Sequence, residues 1–248
     1  MNIDLHDSVA LLRVNGGRGN AIGPDFLAGV CRLFDEAERG GARAIVLTGY
    51  DRFFSAGLDL PPLVEYDRPT MERFMRTFAD AMLRVFTCPL PVVAGINGHA
   101  IAGGCVLALQ ADRRVMVDAP YRIGLNEVQL GIGLPAEVIE SARIQLSTAS
   151  LSRIVLDGPL STPAEALALG LIDEVVPLAE LEPRCLAIAA QMCSGGGLGF
   201  RQLKAALRRP ALETIRRVQD AEIESWLDAW YLDTTRAKLI GAAARLKK

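Results

Sequence analysis

The hydrophobic pattern in the first half of the chain predicts alternating strands and helices. Short apolar runs at 9–14 and 92–96 predict strands, and the continuously apolar run 44–48 is typical of a strand that is covered on both faces. Amphipathic spacing predicts helices over about 24–38 and 70–86, with glycine-rich or proline-rich turns beside them. This half of the chain is therefore expected to form an α/β core.

The pattern changes in the second half. A helix is predicted over about 135–146, and the capping box 162–165 predicts a short helix that Gly170 closes before a strand at 171–176. Beyond about residue 180 only helices are predicted, at 181–192, 200–208, 211–231 and 234–246, with a glycine-rich break at 194–197. These helices form an amphipathic layer that covers either the chain's own core or a neighbouring subunit.

The stretch 91–117 is the one around which the chain is organised. Its strand passes through Asn97-Gly98 and Gly103-Gly104 into a helix that starts near Cys105. A strand-to-helix junction leaves backbone N–H groups without intrahelical partners, and adjacent glycines let a ligand approach them. The junction could hold a developing negative charge, or its glycines could serve only the close packing of strand and helix.

Composition narrows the classes of function. The chain has 248 residues, is 50% hydrophobic and carries a formal net charge of −2, which gives no electrostatic basis for binding nucleic acid or an anionic membrane. No apolar run approaches the length of a membrane span, and the sequence from Met1 lacks the features of a signal or transit peptide. Five cysteines without a C-x-x-C pair favour free thiols in a reducing compartment. We expect a cytoplasmic protein.

Several catalytic motifs are missing from the sequence. Gly98-x4-Gly103 lacks the Lys-Ser/Thr of a phosphate-binding loop, and neither a dinucleotide fingerprint nor a G-x-S-x-G elbow is present. With only His6 and His99, and no ligand-spaced cluster, we expect no catalytic metal and no separate cofactor. His99 is interpreted as a structural hydrogen-bonding residue and Cys105 as a packing residue.

What remains is a pattern of two loops followed by an acid. Backbone donors are expected at 55–59 and 102–104, and Glu127 follows them. At these places the sequence resembles the enoyl-CoA hydratase/isomerase (crotonase) superfamily. The segments that carry the resemblance are FFSAGLDL (53–60), NGHAIAGGCVLALQADRRV (97–115), NEVQLGIGLP (126–135) and TPAEALALGLIDEVV (162–176). They follow the family's order across nearly the whole chain.

The resemblance implies a fold and an assembly. Residues 1–180 would form an α/β spiral of ββα units, and residues 181–248 would form a C-terminal helical region that packs in homotrimers or dimers of trimers. The partner it implies is an acyl-CoA thioester, whose coenzyme A belongs to the substrate. Neither nucleic acid nor a membrane is expected as a partner.

The resemblance also implies a set of site residues. The thioester carbonyl would accept hydrogen bonds from the N–H groups of Leu58 and Gly103, which stabilise an enolate more than the ground state. Glu127 would be the catalytic acid and base. The residues that would bind the substrate around these three are Ala56, Gly57, Asp59, Gly104 and Asn126. Among these, Ala56 would contact the adenine through its backbone, Asn126 would position Glu127 or touch the acyl chain, and Asp59 is expected mainly to cap its loop.

Departures from the family pattern decide which reaction is expected. Hydratases of the family use two glutamates to activate water; Val106 stands at the first position and Glu127 at the second. Pro135 stands where dienoyl-CoA isomerases have an aspartate. The segment YRIGLNEVQLGI (121–132) is similar to mitochondrial-type Δ3,Δ2-enoyl-CoA isomerases. One carboxylate can move a proton from C2 to C4, so this isomerisation is the predicted reaction.

Alternatives remain open from the sequence. The same fold could catalyse hydration, decarboxylation or thioester hydrolysis, or it could bind acyl-CoA without catalysis. Pro61 stands where many hydratases have a lysine for the CoA phosphates. We expect Arg18, Lys204 or a residue of a neighbouring subunit to replace that lysine.

Overall fold

The computed structural model of the chain describes residues 1–246. Its strands are β1 (Asn2–His6), β2 (Val9–Arg13), β3 (Ala44–Thr48), β4 (Phe53–Ser55), β5 (Val92–Ile96), β6 (His99–Ile101), β7 (Arg113–Val117), β8 (Ile123–Gly124) and β9 (Glu174–Val176). Its helices are α1 (Pro24–Arg39), α2 (Leu60–Leu63), α3 (Arg68–Phe86), α4 (Gly103–Leu109), α5 (Glu127–Leu130), α6 (Ala136–Gln145), α7 (Thr148–Asp157), α8 (Pro163–Ala168), α9 (Leu178–Ser194), α10 (Gly197–Tyr231) and α11 (Asp233–Leu246).

The larger sheet has the strand order β1-β2-β3-β5-β7-β9. β1 pairs antiparallel with β2, and the other neighbours pair parallel. Along β3, Ile45 and Leu47 pack into one hydrophobic cluster, whereas Ala44 and Val46 pack into a second cluster on the other face. This alternation explains why the whole strand is apolar. The predicted strand at 44–48, covered on both faces, is confirmed.

The path of the chain repeats three times. In each repeat a strand of the larger sheet is followed by a short strand of a second, parallel sheet and then by a helix: β3, β4 and α2; β5, β6 and α4; β7, β8 and α5. The expected spiral of ββα units therefore describes the topology. The strands of the second sheet have only two or three residues and were not predicted. In particular, β6 interrupts the direct strand-to-helix junction expected within 91–117.

The C-terminal helices cover the chain's own core. Leu181, Cys185 and Ala189 of α9 are buried against Val46 and Val93 of the larger sheet. Six buried residues of the last two helices belong to the main cluster on the sheet's other face: Ile223, Trp226, Leu227 and Trp230 of α10, and Leu239 and Ala243 of α11. The two alternatives for this layer are thus resolved in favour of the chain's own core for these side chains. The trimerisation of 181–248 stays a prediction, and its last two residues lie outside the described range.

Helix α10 is continuous, whereas two helices, 200–208 and 211–231, were predicted. Pro210 lies inside it and removes one backbone hydrogen bond. The turns on both sides of the proline are fixed by tertiary contacts, because Lys204 and Arg208 both bond to Asp112 and Ala211 is buried. These contacts outweigh the local preference of proline for a helix end.

Other differences are smaller. Helix α7 was not predicted, α9 begins at Leu178 rather than at 181, and β9 covers only the end of 171–176. The capping box is confirmed, since the Thr162 side chain accepts the Glu165 N–H and the Glu165 carboxylate accepts the Thr162 N–H. None of the helices within residues 1–246 is long and apolar enough to cross a membrane.

Candidate active site

Two buried asparagines hold the loops of the site in place. Asn20 donates to the carbonyls of Val14 and Phe54 at 2.9 and 3.0 Å, which ties the loop after β2 to the end of β4. Asn97 accepts the Gly49 N–H at 2.9 Å and donates to the Asp51 carbonyl at 3.1 Å. Asn97 was expected only as part of a turn and Asn20 was not predicted to matter, because no spacing signal distinguishes such clamps from ordinary turn asparagines.

Glycine is required where the loops after β4 and β6 meet. Gly57 has a φ of 87°, and a Cβ there would lie 2.8 Å from the Ile101 carbonyl oxygen and 3.2 Å from the Gly103 nitrogen. A Cβ on Gly104 would lie 2.2 Å from the Ser55 carbonyl oxygen. The glycines thus serve the close packing of the two loops, which was one of the two readings of the junction.

The close packing of these two loops also brings two free backbone N–H groups together. A Cβ on Gly103 would lie 3.7 Å from the Leu58 nitrogen. Gly103 is the first residue of α4, so its N–H has no intrahelical acceptor. On either side of Leu58, the Gly57 carbonyl accepts the Ile22 N–H and the Asp59 N–H donates to the Ile22 carbonyl. The N–H groups of Leu58 and Gly103 donate to no other group within residues 1–246. The second reading of the junction, a place for negative charge, is therefore compatible with the geometry.

A small inner cavity opens beside these donors. Its volume is about 30 Å³, close to the share of one water molecule in the liquid. The inner cavity is lined by Leu58, Met75, Phe78, Gly103, Val106, Glu127, Ile132, Gly133, Leu134, Pro135, Val138 and Trp226. Among these described residues Glu127 alone has an ionisable side chain. The structure thus brings together Leu58, Gly103 and Glu127, which the resemblance had grouped, and it adds an apolar wall that the sequence did not reveal.

Glu127 is the first residue of α5 and is 8% exposed. Its Oε2 atom is buried and has no hydrogen-bond partner within residues 1–246. Burial among apolar side chains raises the pKa of the Glu127 carboxyl to about 7, because desolvation penalises the charged form. A carboxyl with a pKa near neutrality can both accept and return a proton.

The other expected substrate-binding residues have mixed outcomes. The Ala56 N–H donates to the Gly19 carbonyl at 2.8 Å, so only the Ala56 carbonyl remains for a backbone contact with a ligand. Asp59 precedes α2, but its side chain makes no capping hydrogen bond, and the expectation that it caps its loop is wrong. The Asn126 side chain also makes no capping bond, and its Oδ1 atom is buried without a partner within residues 1–246.

His99 and Cys105 have structural surroundings. The His99 Nδ1 atom accepts the Arg122 N–H at 3.1 Å, and the ring packs against Phe53 and Tyr121, as the structural interpretation predicted. Cys105 is fully buried and burial raises the pKa of its thiol, which agrees with a packing role. All five cysteines are free.

An outer groove of about 750 Å³ lies on the other side of Asp59, between the loop after β2 and the start of α1. Arg18 is exposed in that loop, next to Gly19, whose carbonyl bonds to Ala56. Lys204 lies elsewhere: it is 7% exposed and its Nζ atom bonds to Asp112 at 2.7 Å and to the Leu90 carbonyl at 2.8 Å. Lys204 is thus paired within the chain and does not line the outer groove, whereas Arg18 is exposed; which residue replaces the missing lysine stays a prediction.

The family assignment follows from comparison with known proteins. The family model described as enoyl-CoA hydratase/isomerase matches residues 4–236, and the chain belongs to this family. Its fold is the crotonase fold. Within residues 1–246 no group of three or more His, Cys, Asp or Glu side chains could hold a metal ion.

Individual relatives sharpen this picture. The chain is 29% identical to human mitochondrial enoyl-CoA delta isomerase 1, over 99% of this chain and 82% of that protein. The crystal structure of human mitochondrial delta3-delta2-enoyl-CoA isomerase superposes with a TM-score of 0.94 at 28% identity and covers 99% of this chain and 97% of that one. The crystal structure of the enoyl-CoA hydratase EchA3 from Mycobacterium ulcerans superposes with a TM-score of 0.84 at 28% identity, covering 90% and 97%.

Proposed function

We propose that this protein is a Δ3,Δ2-enoyl-CoA isomerase that converts 3-enoyl-CoA thioesters to trans-2-enoyl-CoA. The observation that carries the proposal is the composition of the inner cavity. Two free N–H groups, of Leu58 and Gly103, lie beside a cavity whose described lining has one ionisable side chain, Glu127. Val106 lines the same cavity and is 1% exposed, so no second carboxylate stands there to hold water.

The reaction needs one base and one stabilised oxyanion. The Glu127 carboxylate removes a proton from C2, and the electrons of the C2–H bond delocalise onto the thioester oxygen. The Leu58 and Gly103 N–H groups donate to that oxygen and stabilise the dienolate. Glu127 then returns its proton to C4 as the double bond forms between C2 and C3, so the enzyme ends in its starting state.

The raised pKa of Glu127 fits both halves of this cycle. At a pKa of about 7, a substantial fraction of the carboxyl is ionised at neutral pH, and the protonated form is acidic enough to protonate a dienolate carbon. The apolar lining excludes water, which limits competing hydration of the product. The cavity is small, so binding of an enoyl chain requires flexible lining side chains such as Met75 to change rotamer.

The coenzyme A part of the substrate would lie in the outer groove. The Ala56 carbonyl faces no protein donor within residues 1–246 and can accept the adenine amino group. Arg18 is exposed and precedes Gly19, whose carbonyl bonds to the Ala56 N–H, and it would contact the phosphates. Since the thioester carries its own coenzyme A, the proposal includes no separate cofactor.

The test follows the fate of two substrates. The purified protein is incubated with a medium-chain 3-enoyl-CoA, and the conjugated 2-enoyl thioester is measured by its absorbance; hydration of 2-enoyl-CoA is measured in parallel. We expect isomerisation to exceed hydration. Hydration as the dominant reaction, or no turnover of either substrate, would refute the proposal.

A variant separates isomerase from hydratase chemistry. Val106→Glu restores a carboxylate at the position where hydratases of the family have one, and we expect it to increase hydration. Val106→Gln is the matched control, because it has a similar size but cannot act as a base. Equal hydration by the two variants would show that the missing carboxylate is not what limits hydration.

A further inference from the structure

A second cavity, the basic cavity, lies between the end of α3 with the residues that follow it and the first half of α10. Its volume is about 280 Å³. Five cationic residues line it: Arg201, Lys204, Arg208, Arg209 and Arg216. All five lie in the first twenty residues of α10, so this part of the helix gives the cavity a basic wall. The basic cavity shares no lining residue with the inner cavity or the outer groove.

Two of the five cations have a structural role. Asp112 accepts a hydrogen bond from Lys204 Nζ at 2.7 Å and one from Arg208 Nη2 at 2.6 Å. Its Oδ2 atom also accepts the Val92 N–H at 2.8 Å, so this carboxylate fixes α10 to the beginning of β5. One carboxylate neutralises one charge, and these two cations together keep an excess of positive charge.

The remaining donors have no partner among the described residues. Arg201, Arg209 and Arg216 are exposed and pair with no carboxylate of residues 1–246. Arg208 is 4% exposed, and its Nη1 atom is buried without a hydrogen-bond partner in the described part of the chain. A buried guanidinium nitrogen without an acceptor is costly, and four neighbouring cations add like-charge repulsion.

The rest of the lining adds no negative charge. No carboxylate lines the basic cavity among the described residues. Burial raises the pKa of the Cys88 thiol to about 11, so this lining side chain is neutral at physiological pH. The Phe86 ring lies 4.2 Å from the Arg208 guanidinium carbon and provides an apolar floor. Cations above an apolar floor suit a ligand that carries phosphate groups on a small organic body.

We propose that the basic cavity binds a small phosphate-bearing anion at a site separate from the acyl-CoA site. The arginines match phosphate oxygens in geometry and charge, and an anion would relieve both their repulsion and the unpartnered Arg208 Nη1. Asp112, which holds Lys204 and Arg208, bonds to Val92 at the start of β5, whereas Gly103 begins α4 and comes after both β5 and β6. Among the described residues the basic cavity and the inner cavity have no lining residue in common.

The experiment measures pyrophosphate binding to the full-length protein by isothermal titration calorimetry at constant ionic strength. We expect saturable binding at one site per chain. The double variant Arg209→Gln/Arg216→Gln removes two exposed cations that bond to no other described side chain, and we expect it to weaken binding at least about tenfold. The control Arg39→Gln/Arg217→Gln removes two exposed arginines outside the cavity and should retain wild-type affinity.

Further measurements distinguish a nucleotide from a free phosphate and test whether the ligand binds in the basic cavity. Tighter binding of ADP than of pyrophosphate would favour a nucleotide, and similar binding would favour a free phosphate; both support the site. Pyrophosphate should also raise the melting temperature of the wild type more than that of Arg209→Gln/Arg216→Gln. Absence of binding to the wild type, equal weakening in the control, or loss of binding in Arg18→Gln would overturn the proposal. None of these results bears on isomerase activity, which is tested separately.

Discussion

Two buried glutamates of this protein have the same acidity but different surroundings. Glu127 is 8% exposed and Glu137 is 1% exposed, and burial raises the pKa of each carboxyl to about 7. Each has at least one carboxylate oxygen without a hydrogen-bond partner in the described residues. Glu127, however, lines the inner cavity with two free backbone donors, whereas Glu137 lies in α6 and does not line it.

The difference teaches that a raised pKa reports desolvation and not function. Besides desolvation, the negative charges of Glu222 on α10 and Asp80 on α3 raise the pKa of Glu137 further. Both of these acids are exposed on the surface. A catalytic role requires the raised pKa together with space for a substrate and donors for the charge that develops on it. Of these two glutamates, Glu127 is the one that lines a cavity beside free backbone donors.

Among the variants that leave Glu127 in place, the largest effect is expected from displacing the backbone donors. In Gly57→Ala the new Cβ would collide with the Ile101 carbonyl and displace the loop that presents the Leu58 N–H. Loss of one oxyanion donor lowers kcat by about 10²- to 10³-fold in other enzymes, and we expect a decrease of that order in the isomerase assay.

Gly41→Ala is the matched control for this variant. Gly41 has a φ of 80°, close to the 87° of Gly57, but no atom of residues 1–246 lies within 4 Å of its Cβ position. Both variants carry the cost of a left-handed backbone, and only Gly57→Ala disturbs the site. A similar loss of kcat in both would attribute the effect to backbone strain and weaken the role of the donors.

Glu137→Gln is expected to change stability rather than catalysis. Folding raises the pKa of the Glu137 carboxyl from 4.5 to about 7. The contribution of Glu137 to the free energy of unfolding is therefore complete below pH 4.5 and decreases as the pH rises towards 7. Between these two pH values, the free energy of unfolding of Glu137→Gln should increase relative to that of the wild type by on the order of 3 kcal/mol. Urea denaturation at several pH values measures this difference. The exposed Glu222→Gln should show far less of it, and a pH-independent difference for Glu137→Gln would contradict the raised pKa.

The pH dependence of the reaction should report Glu127 alone. The ionised carboxylate is the base, so kcat/KM should rise with pH up to about 7 and fall about tenfold for each pH unit below that value. The same acid limb should appear in Glu137→Gln. A limb that moves in this variant would mean that the two glutamates titrate together.

The smallest effect is expected at a third carboxyl. Burial raises the pKa of Asp59 above its usual range, but its side chain makes no capping hydrogen bond. Asp59→Asn should therefore change the free energy of unfolding by no more than about 0.5 kcal/mol. A loss near 1 kcal/mol in thermal denaturation would instead indicate a capping role.

Much of this architecture could be predicted from the sequence where the signal is local. The buried strand at 44–48 and the capping box at 162–165 follow from apolar runs and hydrogen-bonding side chains within a few residues. The short strands β4, β6 and β8 gave no such signal, because two or three residues cannot show a period. The continuity of α10 across Pro210 also escaped prediction, since it depends on the distant Asp112.

The site, like the fold, could be predicted only in part. Leu58, Gly103 and Glu127 were found through motifs whose order resembles a family, but the pattern did not reveal that Met75, Phe78 and Trp226 form the apolar wall. Met75 and Phe78 belong to α3 and Trp226 belongs to α10, two helices that are far apart in sequence. Glu137 illustrates the opposite case, because a glutamate at the start of an amphipathic helix is normally solvated and nothing in the sequence marks this one as buried.

The central claim is that Glu127, and not any buried glutamate, moves the proton. The most direct test is the rate of conversion of a 3-enoyl-CoA by Glu127→Gln and by Glu137→Gln, each confirmed to be folded by circular dichroism. Loss of a general base lowers the rate by about 10²- to 10⁴-fold, and we expect this for Glu127→Gln, with Glu137→Gln within about twofold of the wild type. Equal losses in both variants, or full activity in Glu127→Gln, would contradict the claim.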